Sequence, residues 1–103
     1  MHMDVSTQRR DGAIVLVVTG DIDLGSRGAL ETRIADAVRE PVRAVEVDLS
    51  GVDFLDSSGI ASLVAGWRMS DAAGRSYRVI AAAPLVQEIM SLAGVWDLLS
   101  GGT

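Results

Sequence analysis

The chain predicts an α/β domain built on a small mixed β-sheet with helices packed mainly on one face. Three observations point there. β-branched runs at Ile14–Thr19, Ala44–Leu49 and Tyr77–Ala81 are separated by segments of helical period, the pattern of strand–helix–strand units with right-handed crossovers and largely parallel pairing. Asp11-Gly12 marks a tight hairpin ahead of them, because glycine supplies the positive φ such a turn needs. At 103 residues, 49% hydrophobic and 22% charged, the chain has material for one core and no room for a second. Residues 1–103 are therefore read as a single domain.

The elements follow in order. Residues 4–10 read as an edge strand ending at the hairpin, and Ile14–Thr19 as a strand covered on at least one face. Gly20 opens a polar segment, Asp21-Ile22-Asp23-Leu24-Gly25. From Ser26 to Glu40 the period is helical: Leu30, Ile34 and Val38 recur every four residues, with Ser26 as N-cap and Pro41 as stop signal. In the next strand Val45, Val47 and Leu49 alternate with Glu46 and Asp48, and Ser50-Gly51 turns the chain. A second helix runs from about Ser57 to Ala72 with Ile60, Leu63, Val64 and Trp67 as its apolar face. After Tyr77–Ala81, Pro84 opens a third helix with a stripe of Val86, Ile89, Met90 and Ala93; Gly94 caps it, and Trp96, Leu98 and Leu99 make a last turn tucked on the core. Trp67, Trp96, Phe54 and the four methionines are read as packing residues.

Composition excludes several function classes. Absent cysteine removes disulfides, thiolate nucleophiles and zinc-thiolate sites. The only histidine, His2, is read as a solvated tail residue; Met1-His2-Met3 is compatible with a cloning remnant, which would leave it outside the native protein. All nine basic residues are arginine, and the formal net charge is -5. Such a balance lacks the basic face that nucleic acid or an anionic membrane demands. No apolar run is long enough to insert into a membrane, and the cytoplasm is the expected location.

The informative stretch is Asp48-Leu49-Ser50-Gly51-Val52-Asp53-Phe54-Leu55-Asp56-Ser57-Ser58-Gly59-Ile60. It places Asp56, Ser57 and Ser58 at a helix start, where unpaired backbone N–H groups collect. One reading is structural: an Asp or Ser cap, with Gly59 allowing close packing. A serine hydrolase is a poor fit, since neither an internal histidine nor a lysine base exists and no Gly-x-Ser-x-Gly elbow is present. Accepting a phosphate asks less, because a kinase brings base, metal and nucleotide. A phosphoserine at a helix N-terminus meets free amides and the helix dipole. It would add roughly 1.5 to 2 negative charges near Asp56, and near Asp21 and Asp23 if that loop lies alongside. Such charge can switch binding without refolding, by repelling a partner that docked there.

At these residues the chain resembles a STAS domain of the anti-sigma-factor antagonist type. The likeness rests on Gly20-Asp21-Ile22-Asp23, Val47-Asp48-Leu49-Ser50-Gly51-Val52 and, above all, Phe54-Leu55-Asp56-Ser57-Ser58-Gly59-Ile60, in order and at the family's spacing. The resemblance implies a single STAS-type fold over nearly the whole chain. It implies Ser57 as the phosphorylated residue and Ser58 as its neighbour. Asp56 is implied as the preceding acid, Asp23 as the family's loop acid and Asp21 as its companion. With Gly59, these residues would form the switch and partner-binding site. It implies partner switching by a non-enzyme: the unmodified antagonist sequesters an anti-sigma factor of serine-kinase type, freeing a sigma factor for transcription. Phosphorylation ends the contact and a serine phosphatase resets it. No cofactor or metal of the domain's own is expected.

Two other readings stay open. The same fold could serve, unphosphorylated, as an accessory subunit of a membrane complex transporting lipid or anions. Alternatively, Asp21, Asp23, Asp48 and Asp56 could form an acidic metal or nucleotide site, although neither EF-hand spacing nor a Gly-rich phosphate loop is present.

Overall fold

In the computed structural model, which describes residues 2–101, the order is β1 (Met3–Arg10), β2 (Ala13–Ile22), α1 (Arg27–Val38), β3 (Ala44–Leu55), α2 (Ser57–Ala72), β4 (Ser76–Ala82), α3 (Pro84–Leu92) and α4 (Trp96–Ser100). The four strands form one sheet in the order β1-β2-β3-β4. β1 pairs antiparallel with β2 through the Asp11-Gly12 hairpin, where both residues have positive φ; β2–β3 and β3–β4 are parallel. Because the three parallel strands all end at the same edge of the sheet, the segments that follow them gather there.

Strand alternation decides which face is covered. Ile14, Leu16 and Val18 of β2 and Val45, Val47 and Leu49 of β3 share one cluster with Leu30 and Ile34 (α1), Leu63 (α2), Val86 and Met90 (α3) and Leu99 (α4). All four helices thus contribute to a core on a single face, as the sequence predicts. The opposite face carries the row Gln8, Val15, Glu46, Arg78. There Glu46 lies 3.9 Å from Arg10 and 4.0 Å from Arg78.

Several boundaries differ from the sequence reading, each for a local reason. Ser50-Gly51 does not turn the chain; β3 runs on to Leu55, and the extra residue is absorbed as a register shift opposite Val17 and Thr19. Asp48 Oδ1 accepts from both the Ser50 amide and hydroxyl, which holds this irregular step. β2 likewise continues past Gly20 to Ile22, so Asp21 is a buried strand residue rather than part of a polar loop. Ser26 stands at the N-cap of α1 but makes no side-chain cap bond; its hydroxyl donates to the Asp21 carbonyl at 2.9 Å. α1 ends at Val38, and its inward residues are Leu30, Ile34 and Ala37.

α2 has the predicted span, but its buried stripe is rotated toward Gly59, Ser62, Leu63, Gly66 and Ser70, leaving Ile60, Val64 and Trp67 half-buried. Close approach explains the rotation: at Gly66 a Cβ would lie 2.7 Å from the Tyr77 hydroxyl and 2.8 Å from Ile34 Cδ1. Met90 is buried, and Met3, Met69, Trp67 and Trp96 pack against the core. Phe54 does not: it is 45% exposed, a correction to its reading as a packing residue. Met1 lies outside the described residues. The His2 side chain is exposed, but its carbonyl accepts from the Asp21 amide at 3.2 Å, while Met3 pairs with Gly20.

Candidate functional site

The predicted site residues fall on two segments that the sheet brings together. Pairing of Asp21 with Phe54 and of Ile22 with Leu55 sets the end of β2 beside the end of β3. The Asp56 amide then donates to the Ile22 carbonyl at 3.3 Å, tying the start of α2 to the loop after β2. Gly59 completes the junction by packing its bare α-carbon against that carbonyl.

Asp56 is the N-cap of α2. It has extended backbone, and its Oδ1 accepts from the Gly59 amide at 3.0 Å, satisfying one of the free donors of the first turn. Ser57 is the first helical residue and is exposed; Ser58 is half-buried. Among the described residues no hydrogen bond involves either hydroxyl.

Asp23 organises the facing loop as an Asx turn. Its Oδ1 accepts from the amides of Gly25 at 3.0 Å and Ser26 at 3.1 Å, and its carbonyl accepts from Arg27 at 2.9 Å to start α1. Asp21 is 8% exposed, and its Oδ1 is buried with no partner among the described residues. The structure therefore joins Asp21, Asp23, Asp56, Ser57, Ser58 and Gly59 at one end of the sheet. It does not bring Asp48 into a metal cage with them: no group of three or more metal-ligating side chains occurs among the described residues.

The sequence reading missed three neighbours. Leu24, at the tip of the Asp23 turn, is 73% exposed. Phe54 is exposed two residues before Asp56, and Asp53 is the unpaired residue of a second register shift, with Gly20 opposite Val52 and Asp21 opposite Phe54. Alternation could not reveal Asp53 and Phe54, because the shift changes which residues point out, and Leu24 lies in the loop beyond β2. A groove of about 790 Å³ lies at the other end of the sheet, lined by Trp67, Tyr77, Arg78 and Leu98 among others. It includes none of the predicted site residues.

With that geometry established, comparison identifies the family. The family model described as Mlab, STAS domain matches residues 5–100, and the chain belongs to the STAS-domain family. The anti-sigma-F factor antagonist RsfB of Mycobacterium tuberculosis is 39% identical over 61 residues, covering 59% of this chain and 50% of that protein; the match thus spans about half of the curated relative's length. An anti-sigma factor antagonist from Mycobacterium paratuberculosis superposes with a TM-score of 0.84 at 29% identity, covering 96% of this chain and 83% of that one. SpoIIAA in its unphosphorylated form has the same fold, with a TM-score of 0.78 at 17% identity over 91% of this chain and 84% of that one. Bacillus SpoIIAA in its phosphorylated form also shares it, with a TM-score of 0.68 at 17% identity over 97% and 91% of the two chains. Among the described residues no helix is long and apolar enough to cross a membrane.

Proposed function

We propose that the chain is an anti-sigma factor antagonist switched by phosphorylation of Ser57: unmodified it holds an anti-sigma factor of serine-kinase type, and modified it lets go until a serine phosphatase resets it. One observation carries the reading. Ser57 is an exposed, unbonded hydroxyl on the first residue of α2, at the junction where the Asp21–Asp23 segment meets Asp56. A phosphate there meets the free amides of the first turn and stands among aspartates, which makes the modified form costly to bury in a contact. Arg27, at the start of α1, is already bonded to Glu31 at 3.0 Å. The switch acts on the surface and leaves the fold in place. That the mycobacterial relative is an anti-sigma-F factor antagonist, and that SpoIIAA carries the same fold in a phosphorylated form, support the assignment.

The experiment is mass spectrometry of the full chain after incubation with ATP and the purified anti-sigma factor kinase. One phosphate on Ser57, absent from Ser57→Ala, is the expected result. A product modified on Ser58 instead, or modification of Ser57→Ala, would overturn the assignment. In a pull-down, Ser57→Ala retains the kinase and Ser57→Asp releases it. Retention of membrane transport subunits by both variants alike would favour the accessory-subunit reading.

A further inference from the structure

We propose that the Ser57 end of the sheet docks a protein surface that is apolar at its centre and cationic at its rim, and that phosphate breaks this contact by desolvation rather than by repulsion at a distance. The inference rests on the function proposed above and deepens it by naming the partner's chemistry. Single exposed apolar side chains are ordinary. Here two of them, Leu24 at 73% and Phe54 at 45% exposure, flank one junction, because the Ile22–Leu55 pairing sets their segments side by side.

Around them stand Asp21, Asp23, Asp53 and Asp56, and none of the four is in an ion pair among the described residues. Asp21 Oδ1 is buried without a partner among the described residues. Arg27, the arginine at this end of the sheet, is held by Glu31 at 3.0 Å, while Arg9, Arg10, Arg39 and Arg78 pair with Glu40, Glu46 and Asp36. Among the described residues no bonded cation therefore neutralises these four carboxylates, and they disfavour an anionic partner even before modification. A cationic rim complements them and speeds encounter, while pockets for Leu24 and Phe54 supply the apolar centre.

Against such a partner, Coulomb attraction alone would make a phosphate on Ser57 tighten binding. The effect that opposes it is the loss of hydration of a dianion buried in a partner contact beside neighbouring carboxylates. Salt separates the two effects, since mobile ions screen charge attraction but do not remove a desolvation cost.

The test measures affinity of the full chain for a defined probe, the purified anti-sigma-F factor that the mycobacterial relative antagonises. Titrations run from about 50 to 500 mM NaCl on wild type, Leu24→Ser, Phe54→Ser and Ser57→Asp, with thermal melts as a folding control. Wild-type binding is expected to weaken steadily as salt rises. Leu24→Ser and Phe54→Ser each lose about tenfold at every salt concentration while melting like wild type. Ser57→Asp stays weak at high salt. Salt-independent wild-type binding, wild-type affinity in both serine variants, or full rescue of Ser57→Asp by salt would each overturn the inference. Wild type that fails to bind at any salt concentration would overturn the antagonist reading beneath it.

Discussion

Gly59 lies so close to Ile22 that a Cβ on it would stand 2.4 Å from the Ile22 carbonyl oxygen and 3.0 Å from Leu55 Cβ. The oxygen cannot simply retreat, because it also accepts the Asp56 amide. Gly59→Ala is therefore expected to lower stability by about 2 kcal/mol and to lift the start of α2 away from the β2 end. Thermal melts measure the loss, with Gly28→Ala as the control: Gly28 lies on α1 with open space around its Cβ position and should gain about 0.5 to 1 kcal/mol. Equal melting of Gly59→Ala and wild type would show that this contact does not seat the helix.

Asp56 and Gly59 are linked a second time, through the 3.0 Å cap bond. Asp56→Ala removes the acceptor and should cost about 1 kcal/mol. Asp56→Asn keeps an oxygen at the same place and should stay within a few tenths of wild type. Urea titration reads the difference. Equal losses in the two variants would mean that the carboxylate's charge, rather than its cap bond, stabilises α2.

Arg33 closes an open edge. The Asp21 amide bonds to the His2 carbonyl, so by the alternation of antiparallel pairing Val5 turns its carbonyl away from β2. Arg33 of α1 reaches it at 2.8 Å and also donates to Thr7 Oγ1 at 2.6 Å. An unpaired strand edge invites pairing with another chain. Arg33→Ala should cost about 1 kcal/mol and raise concentration-dependent self-association in sedimentation velocity. A strictly monomeric Arg33→Ala would show that the edge needs no guard.

What the sequence made legible follows from the range of the interactions. The hairpin, the parallel order and the span of α2 depend on local signals, Asp11-Gly12, β-branched alternation and the Asp56 cap, and all three are seen. The joining of Asp21 and Asp23 with Asp56–Gly59 was expected only through a family likeness, because nothing local states that residue 22 pairs with residue 55. The two register shifts in the β2–β3 pair were not legible. Each moves residues between faces, and the one beside Asp53 leaves Phe54 exposed instead of in the core. The buried stripe of α2 was misjudged for a related reason. Periodicity ranks side chains by apolarity, whereas the helix turns its small residues inward so that its backbone can come close to Ile22 and Tyr77.

Tyr77 gives the clearest pH signature. It is buried, its hydroxyl has no partner among the described residues, and burial holds its phenol far above the usual value. It is also the only tyrosine in a chain with neither lysine nor cysteine, so no other side chain titrates between about pH 9 and pH 11. Above about pH 10 the unfolded chain sheds this proton while the folded chain keeps it. The unfolded state then binds fewer protons, and stability must fall as pH rises, by about 1.4 kcal/mol per pH unit. Below that range the residue contributes no pH dependence. Tyr77→Phe removes both the titration and an unsatisfied buried hydroxyl. Its stability should be unchanged or up to about 1 kcal/mol higher at neutral pH and flat through the alkaline range. Parallel decline of wild type and Tyr77→Phe in denaturant titrations above pH 10 would show that the phenol is not what the alkaline limb reports.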